Sequence, residues 1–134
     1  MSEHSLVQEW LQIAFEDYDL AQFVYDHKHP KPLEIICFHC QQSVEKSLKG
    51  YLQARGEEVA RSHEVGLLCA RCAELDPSFA AHLDACNDLA LYATQTRYPG
   101  RLELEGHHAR HAIRWAKKIH ELTVTLCETL KPIE

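Results

Sequence analysis

Apolar positions recur at three–four spacing over several stretches of this chain, and the clearest stretch is Leu33 to Arg55. Leu33, Ile36, Cys37, Cys40, Val44, Leu48, Tyr51 and Leu52 form one stripe there, which predicts a long helix with a core face. Pro32 suits the first helical turn and Gly56 is a stop signal. A polar line, Gln41, Glu45 and Lys49, runs beside the stripe. Glu45 lies N-terminal to Lys49, the favourable order for a helical ion pair. That line is either a solvated flank or a strip that meets a ligand or partner.

Four more helices follow from the same pattern. Ser5 with Gln8 is a capping-box start for a helix running to about Tyr25, its stripe Leu6, Trp10, Ile13, Ala14, Ala21 and Val24. Asp17 interrupts that stripe, so it sits either at the core edge or paired with a base, because a lone buried carboxylate costs several kcal/mol. Ser62 caps a helix over about Glu64 to Leu75. Asp76-Pro77 starts one over about Pro77 to Thr94. The last runs from about Leu104 to Leu130, with Ala109, Ala112, Ile113, Ala116, Ile119, Thr123, Leu126 and Leu130 inward. No stretch alternates with period two, so no sheet is expected. The expectation is an all-α, five-helix up-and-down bundle in a single domain over residues 1–134.

Composition narrows the class. With 134 residues, 46% hydrophobic and 25% charged, the chain has the make-up of an ordinary globular domain. Its apolar runs are too short for a membrane span, and Met1 to Trp10 lacks the basic start and apolar core of a secretory signal. A cytoplasmic location with the six cysteines as thiols is therefore expected, with no membrane partner. The net charge of −6 argues against a general nucleic-acid coat protein. Charge is uneven, however. Residues 1–30 sum to −5, whereas residues 95–120 sum to +4 and carry four histidines. One end can thus attract an anion although the whole chain is acidic.

Three patterns offer chemistry. Cys37-x-x-Cys40 and Cys69-x-x-Cys72 have the ligand types of a tetrahedral zinc site, but both fall at inward helix positions with no Gly or Pro turn beside them. They are read as buried thiols, with no metal. His107 and His111 share a helix face at i, i+4 and His108 lies between them; this is read as a titratable first turn of the last helix. Arg110, Arg114 and Lys118 make a like-charged line, solvated or facing a phosphate or an acidic partner.

The run Cys37-Phe-His-Cys-Gln-Gln-Ser-Val-Glu-Lys-Ser-Leu-Lys49, with its Gln-Gln, Glu-Lys and Leu-Lys, resembles the signature helix of the HEPN domain family. Trp10, Ala14, Asp17 and Ala21 resemble that family's first helix, and Ser62-His63-Glu64 with Leu67 and Leu68 the start of its third. Arg97-Tyr98-Pro99 resembles its RYP loop, and Ala109, Ala112 and Ala116 its last helix. The resemblance implies a HEPN bundle that forms a homodimer; no cofactor is expected. It implies a nucleotide- or RNA-associated accessory module, the stand-alone partner of a minimal nucleotidyltransferase in a toxin–antitoxin-type pair. Under that reading Asp17, Glu45, Lys49, Arg97, Tyr98, Arg110 and Arg114 are the ligand- or partner-binding candidates. A subset of the family resembles metal-independent ribonucleases with an Arg…His pair meeting across a homodimer. Here that pair would be Arg101 and His107, although Leu102 stands where the subset usually has a polar residue. A histidine can move the 2′-hydroxyl proton and an arginine can stabilise the crowded phosphate. A purely structural dimerisation module is the third alternative.

Overall fold

The computed structural model describes residues 2–59, 61–95, 99 and 103–130, without the side chains of residues 3, 94 and 95. Five α-helices carry the fold: α1 (Glu3–His27), α2 (Leu33–Ala54), α3 (Val65–Leu75), α4 (Leu83–Gln95) and α5 (Gly106–Thr129). No strand occurs among the described residues. The expected fourth helix divides in two, because Pro77–His82 winds as a 3₁₀ helix before α4 begins. Asp76 caps that segment, its side chain accepting from the Ser78 N–H, and Pro77 occupies the first turn.

Helix α2 is the hub, packing against α1, α3, α4 and α5. Its stripe behaves as its spacing predicts: Ile36, Cys37, Cys40, Val44, Leu48, Tyr51 and Leu52 are buried and Leu33 is half-buried. Gly56 ends the helix in the left-handed region, φ 72°. There the Glu57 N–H donates to Leu52 O and the Gly56 N–H to Gln53 O, the paired closure that a C-terminal glycine allows.

Helix α1 lies antiparallel along α2, since Trp10 meets Gly50, Ala14 meets Ser43 and Asp17 meets His39. The helices approach closely because α2 presents small residues on that side. The Ser43 hydroxyl donates to Ala14 O at 2.7 Å, and a Cβ at Gly50 would lie 3.1 Å from Trp10 Cβ. This contact turns the buried face of α1 away from the expected one. Val7, Leu11, Ala14 and Ala21 are buried, whereas Leu6, Trp10, Ile13 and Val24 are only half-buried. The cap also moves: Ser2, not Ser5, is the N-cap and accepts from the Ser5 N–H. Helix α5 closes the core with Ala109, Ala112, Ile113, Ala116, Ile119 and Thr123, all buried, whereas Leu126 and Leu130 near its end are only half-buried.

Candidate functional site

The polar line of α2 is not a solvated flank. Gln41, Glu45 and Lys49 are about 5%, 4% and 5% exposed, so a carboxylate and an ammonium sit together inside the bundle. Such charges survive burial only when paired and hydrogen-bonded. The pairing is complete around Glu45. Lys49 Nζ lies 3.2 Å from one carboxylate oxygen, and His63 Nδ1 lies 3.1 and 3.3 Å from the two. Gln41 Nε2 donates to Glu45 Oε1 at 3.4 Å and to the backbone carbonyl of His63 at 3.0 Å. Gln42 then donates to Gln41 Oε1 at 2.9 Å, which fixes the direction of the Gln41 amide.

His63 is thus held twice, by side chain and by main chain, at the start of α3. A carboxylate oxygen accepts, so the His63 Nδ1 that faces Glu45 is the donor of this contact. The His63 side chain is 81% exposed while its Glu45 partner is 5% exposed. The arrangement ties the loop before α3 to the centre of α2. It also sets an oriented imidazole at the rim of a groove between α3 and α4.

A second constellation occupies another side of α2. Asp17, the carboxylate that interrupts the α1 stripe, receives Lys46 Nζ at 2.7 Å and His39 Nδ1 at 3.2 Å. Both partners come from α2, so Asp17 is the paired carboxylate of the two alternatives its position left open.

The rest of the expected site is placed unevenly. Arg97, Tyr98 and Arg101 lie outside the described residues. His107 stands on the first turn of α5, 45% exposed, with Nδ1 3.5 Å from Glu105 Oε2. His108 serves the helix end: its Nδ1 accepts from the Glu105 N–H at 2.8 Å and the Glu105 side chain accepts from its backbone, a reciprocal cap. The His107 and His111 rings are 5.7 Å apart, and His111 lies against Trp115. Arg110 and Arg114 are exposed and form no ion pair among the described residues.

The cysteines are core residues. Cys37, Cys40, Cys69, Cys72 and Cys86 are buried free thiols and Cys127 is half-buried. Burial pushes the Cys37 and Cys72 thiols up to about 12 and raises Cys40 as well. Cys72 and Cys69 point at backbone carbonyls, Leu48 O and Phe79 O. Among the described residues no group of three or more His, Cys, Asp or Glu side chains could hold a metal ion.

His39, Lys46 and His63 are the residues that pattern reading passed over. His39 and Lys46 are seven apart, hence on one helix face, and a paired Asp17 was one of its two alternatives; that signal was present. His63 is 18 residues from Glu45, and no periodicity links a loop residue to a helix face.

An antiparallel helical bundle organised on one central helix, with a buried, paired polar line inside it, defines the class of this protein. The particular family follows from comparison: the sequence matches the HEPN domain over residues 7–127, and the chain belongs to that family. The structure is similar to that of ST0689, described as an archaeal HEPN homologue, with TM-score 0.70 and 27% identity over 90% of this chain and 97% of that one. It is also similar to TT1696 from Thermus thermophilus, with TM-score 0.74 and 28% identity over 89% of this chain and 96% of that one. No curated protein matches the sequence. No helix among the described residues is long and apolar enough to cross a membrane.

Proposed function

We propose that this chain is a nucleotide- or RNA-associated HEPN accessory module, the stand-alone homodimeric partner of a minimal nucleotidyltransferase in a toxin–antitoxin-type pair. One observation carries the accessory role. Glu45 of the central helix is tied to Lys49 and His63, while Leu67 and Leu91 stand 59% and 41% exposed at a single groove. Paired leucines at a concave surface are what a protein partner covers. Glu45, by contrast, already accepts from Lys49, His63 and Gln41 and has little capacity left for a substrate. The test is the reading frame adjacent to this one and its product. A small nucleotidyltransferase with Gly-Ser and paired aspartates is expected there, and the two proteins should co-elute when co-expressed. Separate elution at micromolar concentrations of both would sink the reading.

A second reading, a metal-independent ribonuclease acting through Arg101 and His107 across a homodimer, is favoured by the exposed position of His107 on the first turn of α5. A general acid–base and a charge stabiliser are each worth roughly a hundredfold or more. Cleavage of RNA in chelator by the wild type, lost in both Arg101→Ala and His107→Ala, would put this reading first.

A further inference from the structure

We propose that the groove between α3 and α4 docks a cationic amphipathic helix of a partner protein, an inference that rests on the accessory reading above and gives its partner a chemistry. The groove has a volume of about 650 Å³. Leu67 forms its α3 wall, and Leu83, Asn87 and Leu91 form a ridge along α4 at i, i+4 and i+8. Gly66 makes the junction close: a Cβ there would sit 2.1 Å from Asn87 Oδ1, so the Asn87 amide lies directly against the α3 backbone. From Leu83 to Leu91 a helix rises about 12 Å, roughly two turns, which suits a partner helix with anchors one turn apart. Ridge-and-groove surfaces between two helices accept a third helix by side-chain interdigitation.

Charge selects the occupant. Glu64 and Asp84 stand at the rim. Residues 62–93 as a whole carry five carboxylates against one arginine. A phosphate-bearing ligand or an anionic membrane would be repelled from this face, whereas lysine or arginine flanking an apolar stripe would be drawn to it. A second copy of this chain does not supply that combination. Its basic line, Arg110, Arg114 and Lys118, lies on α5, whose apolar positions Ala109, Ala112, Ile113 and Ala116 are already buried in its own core.

The probe is a labelled synthetic peptide of about four turns with leucine at i, i+3, i+4 and i+7 and lysine on both flanks, titrated with the full chain by fluorescence anisotropy. A control peptide carries glutamate for lysine. The lysine peptide is expected to bind and gain helicity, with the glutamate peptide at least about tenfold weaker. Leu67→Ser combined with Leu91→Ser should weaken binding at least about tenfold, since both side chains are exposed anchors whose loss leaves the core intact. Glu64→Gln with Asp84→Asn should flatten the salt dependence. Equal binding of the two peptides, or wild-type affinity in the double leucine variant, would overturn the proposal. So would a dimer that the leucine changes convert to monomer in sedimentation, because the groove would then be an interface between copies. Co-elution with the nucleotidyltransferase that survives the double leucine variant would remove the groove and leave the accessory reading. Lysine-peptide binding without any such co-elution would do the reverse.

Discussion

Removing the Glu45 carboxylate is the sharpest perturbation of this bundle. Glu45 and Lys49 are each about 5% exposed or less, and their 3.2 Å contact lies inside the packing of α2 against its neighbours. Glu45→Gln keeps the shape but leaves the Lys49 ammonium without its counter-charge, and it leaves His63 one amide oxygen in place of two carboxylate oxygens. Breaking a buried pair from one side costs about 3–5 kcal/mol. Small domains have about 5–15 kcal/mol in all, so about a fifth or more of the stability is at stake. With a urea slope of about 1.5–2 kcal/mol/M, a loss of about 3 kcal/mol lowers the unfolding midpoint by about 1.5–2 M. Lys49→Met should cost less, because Glu45 keeps His63 and Gln41 as donors. The double variant should cost less than the sum of the two, as groups in contact do not act independently. The assay is urea unfolding followed by far-ultraviolet circular dichroism on all four proteins. A midpoint shift below about 0.5 M for Glu45→Gln, at unchanged slope, would refute a charged, buried pair.

Other consequences follow from single contacts. Gly50→Val places two methyls against Trp10 Cβ and Leu11, 3.1 and 3.2 Å from the new Cβ, and should destabilise by about 1–3 kcal/mol in the same unfolding assay; a gain in stability would contradict the close α1–α2 contact. The Asp76 carboxyl is held below its ordinary value by the Ser78 backbone N–H it caps, then by the Ser78 hydroxyl. Its stabilisation is therefore present above pH ~4 and lost as pH falls through its lowered folded-state value. Asp76→Ala should lower stability at neutral pH and converge with the wild type in strong acid, and parallel curves across that range would count against the cap. The five buried thiols, with Cys37 and Cys72 near 12, should resist an aromatic disulfide reagent at pH ~8 and react together only on unfolding; fast native modification of two or more would show the core to be open.

Much of the fold was legible because helices announce themselves locally. The stripe of α2, the glycine stop at Gly56 and the Asp76-Pro77 start each depend on residues within one or two turns, and the structure has all three. Errors appear where a neighbour decides. Leu6, Trp10 and Ile13 are as apolar as Val7 and Leu11, so periodicity alone accommodates either face of α1. Ser43 and Gly50 on α2 select the second by letting the backbones approach. The same division holds for the candidate site. Sequence spacing determined that Gln41, Glu45 and Lys49 share a line and that Asp17 sits at the core edge or is paired. Tertiary structure decided that the line is buried and that His63 completes it. It also decided that His39 and Lys46 are the bases for Asp17. The physical reason is range: helix periodicity acts over a few residues. The desolvation that forces charges to pair acts across whatever elements the core brings together, here between residues 18 and 29 positions apart.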